Sequence, residues 1–232
     1  MNISLLFPPG TDPRAPHLGL PSLAAVLRRE GIRTTMHDLD LEGLLALVAP
    51  ERLQRAAKAL RDAQSGPPSD RVRRLLGISE FLVDSSDRAV AVLRDPVDFY
   101  DPLKHQQART VLSDALALVS AASGNVQYNI LPIAYDVEGA DAASLRDLLR
   151  VTSDRATNLF QEDWEEHLFP RLSAEAPDIV GISITNRQQI VPGLHLARAL
   201  RERNHFVVIG GTVFTKFVDV LRRRPAFFEH FA

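Results

Sequence analysis

Three short stretches carry residue types that packing alone does not demand. Ser183 and Thr185 stand two apart in the run Ile179-Val180-Gly181-Ile182-Ser183-Ile184-Thr185. On a strand both hydroxyls point to one face, and a buried hydroxyl there needs a partner, either a ligand or neighbouring backbone. Asn186 and Gln188 extend the polar cluster and tilt the reading toward a ligand. Gly210-Gly211-Thr212 follows the apolar run Phe206-Val207-Val208-Ile209. Paired glycines let a ring or chain lie against the backbone, or make a tight strand-to-helix turn. The third stretch is Pro8-Pro9-Gly10, leading through polar residues into His17-Leu18-Gly19. A stiff loop meeting a helix start can receive an anion or a flat ligand, and it reads equally well as a connector. A lone histidine such as His17 is more often a surface or capping residue than a ligand.

Other chemistries find less support. The chain has no cysteine, which excludes disulfides, thiolate nucleophiles, thiolate metal sites and any iron–sulfur cluster held by these residues. Its seven histidines fall in no metal-ligand spacing, so no metal is expected. Neither a dinucleotide fingerprint nor a phosphate loop with Gly-Lys-Ser/Thr occurs. Asp163-Trp164-Glu165-Glu166-His167 reads as a helix with Trp164 packed and its acids solvated, without a paired partner for acid/base work. Arg222-Arg223-Arg224 is a cationic helix end, which the helix dipole favours. No nucleophile, base and acid can be assembled from local spacing.

The elements that must hold the three stretches read as strand, loop, helix, strand, helix. Ile3-Ser4-Leu5-Leu6-Phe7 is a short apolar run stopped by prolines, as a buried parallel strand entering a loop would be. From Leu20 to Glu30 apolar residues recur at helical spacing, with Pro21 in the first turn and Gly31 as a C-terminal stop. Thr34 to Leu39 has strand character, and a second helix begins near Leu41. Between about 50 and 170 the rhythm gives way to Arg/Ala/Leu-rich helical stretches (51–64, 71–82 and 105–122) interrupted by prolines. The alternation returns with a strand from Ile179, a helix from Gln188 to Arg203, a strand at Phe206–Ile209 and a helix from Val213 to Arg224. The sequence therefore predicts an α/β fold, a doubly wound (Rossmann-like) parallel sheet built from 1–49 and 171–232, with a mostly helical insertion or subdomain at 50–170. Ligands of such sheets bind at the carboxyl ends of the strands, where all three stretches fall.

The order of these stretches resembles the N-terminal cobalamin-binding domain of cobalamin-dependent radical S-adenosylmethionine enzymes. The likeness rests on Leu5 to Pro9, Pro16 to Arg28, His37-Asp38-Leu39, Asp178 to Thr185, Leu196 to Leu200 and Val207 to Thr212, roughly the first 45 and last 55 residues. It implies a cobalamin at the strand ends. Ser183, Thr185, Gly210, Gly211 and Thr212 would line the slot for its nucleotide tail, with Asn186 and Gln188 beside them. Pro9, Gly10, His17, Leu18 and Gly19 would face the corrin ring. Cobalamin carriers with an axial histidine use Asp-x-His-x-x-Gly; here Asp12, His17 and Gly19 do not match that spacing, so the resemblance implies no axial histidine. Arg14 or His17 would approach the lower face.

In that family a radical domain with its iron–sulfur cluster and S-adenosylmethionine follows. The apolar end Phe227 to Ala232, where a further strand is due, predicts a fragment of a longer enzyme. The implied activity of that parent is methyl transfer, the missing radical domain being this domain's partner, while this chain alone binds without catalysing. The other reading is a stand-alone carrier or regulatory module for cobalamin or a nucleotide-like ligand. A formal net charge of −2 gives no electrostatic case for nucleic acid or anionic membrane. The chain lacks both a signal peptide and an apolar run of roughly 18 residues, so cytoplasmic is the expected location.

Overall fold

In the computed structural model, which describes residues 1–12 and 17–232, the chain divides into two units, 1–43 with 139–232 and 44–138. The first is built on four parallel strands, β1 (Asn2–Phe7), β2 (Arg33–Asp38), β5 (Ile179–Ser183) and β6 (Val207–Gly210), in the order β2-β1-β5-β6. The chain lays its second strand on one side of β1 and its later strands on the other. The order of connection thus reverses between β1 and β5.

Register assigns the faces. Leu5 lies opposite Met36 and Gly181, and Gly181 opposite Val208, so these side chains share a face. Helix α1 (Gly19–Arg29) covers the β1 end of that face, where Ile3, Leu5 and Phe7 form a buried cluster with Leu20 and Ala24. Gly31, at φ +75°, lets the chain turn out of α1 in a conformation an L side chain resists. The opposite face carries Ser4, Leu6, Val180, Ile182 and Val207, all buried, and is covered by α9 (Phe169–Glu175) and α10 (Ile190–Arg201). Gly193 of α10 fits there because a Cβ would stand 2.5 Å from Ile184 Cδ1.

Residues 139–175 belong to this unit, so the helical unit is 44–138, shorter than the 50–170 read from composition. The reason is packing: α7 (Leu145–Ser153) lies against α10, and α8 (Gln161–Asp163) continues through a π-helical turn, Trp164–Leu168, into α9. Trp164, Leu168 and Leu172 are fully buried. After β6 come α11 (Thr212–Leu221) and α12 (Pro225–Phe231). The apolar end is thus helical, with Phe227 and Phe231 buried and α12 against α10.

Helix α2 (Leu39–Val48) leads into the second unit: α3 (Pro50–Asp62), α4 (Asp70–Gly77), α5 (Ser79–Arg94), α6 (Pro102–Ser123) and a hairpin of β3 (Val126–Ile130) and β4 (Ile133–Val137). Side chains cap two of these helices: Ser69 accepts from Val72 N, and Asp101 from Leu103 N and Lys104 N. Such caps satisfy N–H groups that lack intrahelical partners. Leu53 and Leu60 of α3, Leu82 of α5 and Leu116 of α6 are buried where these helices meet. The hairpin, unread in the sequence, alternates buried Val126, Tyr128 and Ile130 with outward Gln127. Ser120 Oγ accepts from Tyr128 N at 2.9 Å, which ties β3 to α6.

Candidate functional site

The loops leaving β1, β5 and β6 converge at the carboxyl edge of the sheet, beside the β1/β5 reversal where doubly wound sheets open a ligand crevice. The side chain of Gln189 joins two of them. Its Nε2 donates to Pro8 O at 2.6 Å, and its Oε1 accepts from Thr185 N at 2.8 Å and Thr185 Oγ1 at 2.9 Å. Gln189 is completely buried, so these bonds replace water for its own amide and for the buried Pro8 carbonyl. Gly10, at φ +114°, packs on the same turn, and a Cβ there would lie 2.7 Å from Gln188 O. Asn186 caps the turn, its Oδ1 accepting from Gln188 N at 2.8 Å and Gln189 N at 3.3 Å.

The β1 loop is held from its other side by Asp40, at the start of α2. Asp40 Oδ1 accepts from Gly10 N at 2.7 Å and Thr11 N at 3.0 Å, and Oδ2 meets Thr11 Oγ1. Burial raises this carboxyl to about 6, against the pull of the Thr11 and Gly10 bonds. The geometry admits both protonation states. One oxygen takes both backbone donors, while the other faces a hydroxyl able to donate or accept.

The Gly-Gly stretch divides in two. Gly211 is pressed against the end of β5: its φ is +111° and a Cβ would stand 2.1 Å from Ile184 O. Thr212 Oγ1 donates to Thr185 O at 2.6 Å and pins the start of α11 to the same segment. Gly210 has an ordinary φ and no atom within 4 Å of a Cβ placed on it. It pairs with Ser183 in register, so both lie on the α1 face. Beyond α1 that face is bare: Val208 is 46% exposed, and Ser183 and Gly210 are half-buried. Ser183 Oγ makes no hydrogen bond to any described residue. The result is an open shelf over β5 and β6 with a free hydroxyl at one side and a glycine backbone at the other.

The β1 loop continues toward α1. Pro9 is buried, and with the Phe160 ring it closes over Gly43, where a Cβ would meet both. The His17 ring stacks on Phe7 at 4.0 Å and 17°. Its Nδ1 accepts from Leu20 N at 3.5 Å, and burial lowers its pKa while Asp38 pulls the other way. His17 thus packs its ring on the apolar face and meets the first turn of α1. Leu18 and Gly19 are exposed. Arg14 and Pro16 lie outside the described residues.

Of the residues singled out in the sequence, Gly10, Thr185, Asn186, Gln188, Gly211 and Thr212 come together as the framework of the edge. Ser183 and Gly210 form its open side. Gln189 and Asp40 were not legible as part of it. Asp40 reads locally as an acid in the first turn of a helix, a position the dipole favours, and Gln189 as one of two glutamines in a polar loop.

Two further polar groups are structural. Glu175, ending α9, accepts from Ser4 Oγ and Thr35 Oγ1 at 2.8 Å each, and His37 Nε2 lies 3.0 Å away. Burial would raise this carboxyl, yet the Ser4, Thr35 and His37 bonds hold it below its ordinary value. His195 of α10 bonds Thr157 Oγ1 at 3.0 Å and is lowered by burial, then by Arg198, to about 4. In the Asp163–His167 stretch Trp164 is buried and Glu165 pairs with Arg155. Among the described residues no three His, Asp or Glu side chains gather as metal ligands, and no helix is long and apolar enough to cross a membrane.

The fold and site therefore define a doubly wound α/β unit with an open shelf beside its switch point. Comparison of the chain with protein-family profiles, with curated proteins and with solved structures found no match.

Proposed function

We propose that the carboxyl edge of the sheet binds a cobalamin, with the shelf over β5 and β6 receiving its nucleotide tail. The reading rests on one observation: at Ser183 and Gly210 the face is open, and a hydroxyl with no hydrogen-bond partner among the described residues stands opposite backbone that no described side chain shields. A long, mixed polar and apolar tail suits such a surface better than a compact phosphate, which would need converging N–H groups or cations. Ser183 would donate to the tail, Gly210 would let it lie close, and the exposed Leu18 and Gly19 would border the ring, the buried Pro9 and Gly10 holding the β1 loop in place. Thr185, Asn186, Gln188, Gly211 and Thr212 would act by fixing the edge on which the tail rests. A bound cobalamin supplies a cobalt centre able to carry a methyl group. This chain's residues bind and orient it, and we place it as the cofactor-holding part of a radical S-adenosylmethionine methyltransferase.

The test is retention of hydroxocobalamin after desalting, read from the corrin absorbance. Gly210→Phe fills the shelf without the backbone conflict that any side chain at Gly211 would create. The wild-type chain should keep the corrin band, and Gly210→Phe should lose it while its far-ultraviolet dichroism is unchanged. A folded wild-type chain that keeps no corrin, or equal retention by the variant, would overturn the assignment.

A further inference from the structure

We propose that the corner between α5 and α6 is a docking knob, and that a second copy of this chain receives it in the cationic cleft at the end of α11. The corner is Asp95 to Lys104, and its apolar side chains face outward: Val97 is 76% exposed, Tyr100 80% and Leu103 71%. Val97 and Tyr100 stand at i and i+3 of a 3-10 turn, Asp98–Tyr100, where side chains eclipse. Isolated exposed apolar residues need no explanation, but three spaced by three on one corner form a patch.

The corner is also rigid. Asp95 Oδ1 accepts from Val97 N and Asp98 N at 2.8 Å each, and Asp101 Oδ1 from Leu103 N at 2.9 Å and Lys104 N at 3.1 Å. The Phe99 ring stands edge-on to both Tyr100 at 5.2 Å and His105 at 5.1 Å. A pre-set knob loses little side-chain and loop entropy on docking, and tyrosine is a favoured anchor. Acidic residues alternate with them along the segment, Asp95, Asp98 and Asp101, and Lys104, paired with Asp98, is its one cation. The two N–H bonds to Asp95 hold its carboxyl below the ordinary range, so it carries its charge at neutral pH.

The complement lies on the other unit. A surface cleft of about 360 Å³ is lined by Asp219, Val220, Arg223 and Arg224. Val220 of the lining is more than half exposed, as is Phe217 one turn earlier on α11. Arg222 is paired with Asp219 at 3.5 Å, whereas Arg223 and Arg224 make no ion pair with any described residue. Val220 beside two guanidinium groups that pair with no described carboxylate complements an apolar knob whose segment carries three carboxylates. Because knob and cleft are different surfaces, the contact is head-to-tail. Three side chains and their rim cover less than the about 800 Å² a side of a stable complex. The association is accordingly weak, on the order of 0.1–1 mM.

The experiment is sedimentation velocity on the full chain up to about 1 mM protein, at low salt and at about 0.5 M salt, where exposed charge pairs are screened. The expected result is a mass rising above 25.7 kDa with concentration and falling back with salt. Tyr100→Asp removes the knob, and the double variant Arg223→Glu, Arg224→Glu removes the cleft; each alone should stay monomeric. Mixed together they should form a one-to-one dimer and stop there, because one intact knob and one intact cleft remain. A wild-type chain monomeric throughout, variants that still self-associate, or a mixture that stays monomeric would each overturn the proposal. All three positions are exposed, and unchanged dichroism shows that the variants fold.

Discussion

Replacing Asp40 by asparagine should make the protein more stable at neutral pH, although the change alters a carboxylate with three hydrogen-bond partners. Asp40 is 3% exposed, and burial raises its carboxyl from 3.8 to about 6 in spite of the bonds from Thr11 and Gly10. A raised pKa in the folded state means that stability complete below about 3.8 is lost as pH climbs to about 6, because ionisation is harder in the fold than in the open chain. At 1.36 kcal/mol per pH unit the loss is about 3 kcal/mol. Asparagine keeps Oδ1 for the Gly10 and Thr11 N–H groups and offers Nδ2 to the Thr11 hydroxyl, without a buried charge. The gain of Asp40→Asn should therefore be near zero at pH 4 and about 3 kcal/mol at pH 7.5. The difference between variant and wild type must be followed, since His195 bends the wild-type curve the other way. Urea unfolding read by Trp164, the chain's one tryptophan, reports the unit that contains Asp40. A variant less stable than wild type at pH 7.5 would refute the reasoning, because it would show the three bonds outweighing burial.

Other outcomes follow from the same geometry. Gln189→Leu should cost about 2–4 kcal/mol, since it strands the Pro8 carbonyl and the Thr185 N–H; a loss below about 0.5 kcal/mol in the same unfolding assay would contradict the bridge. Gly211→Ala should cost more than about 2 kcal/mol because of its φ and the Ile184 carbonyl, while Gly210→Ala should be nearly neutral. Equal effects would dismiss the division of the Gly-Gly pair. His195, lowered to about 4 by burial and Arg198, contributes stability that is present above about 6.5 and lost as pH falls toward 4, up to about 3 kcal/mol. His195→Gln should flatten that acid limb in an Asp40→Asn background. Glu175→Gln should weaken the Ser4 and Thr35 bonds and lower stability by about 1–3 kcal/mol, checked by thermal melting at pH 7.

The sequence determined the parts that depend on local pattern. Leu5-Leu6-Phe7 before Pro8, and Ile179 to Ile184 around Gly181, are short apolar runs of the kind that parallel strands between helices carry. Gly31 and Pro21 bounded α1 by backbone chemistry alone. The hairpin of β3 and β4 was not legible, because a two-stranded pair packed on a single helix leaves a short alternation beside a long helical signal. The boundary at 138 was hidden for a different reason: 139–175 is helical in pattern, and only packing on α10 and the sheet assigns it to the first unit.

The same distinction runs through the site. Residue type and position placed the Pro9–Gly10, Ser183–Gln188 and Gly210–Thr212 loops at the carboxyl ends of the strands, since parallel topology sends them there. The division of labour among them was decided by tertiary structure. Gln189 spans loops 181 residues apart in sequence, Asp40 reaches back 30 residues to Gly10, and neither partnership leaves a local signature. Nor could composition tell that Gly211 is needed to pass Ile184 while Gly210 opens onto empty space. Chain pattern fixes which residues reach an edge of the sheet. Whether a hydroxyl there is committed, like that of Thr185, or free, like that of Ser183, depends on what the folded chain brings within hydrogen-bonding distance.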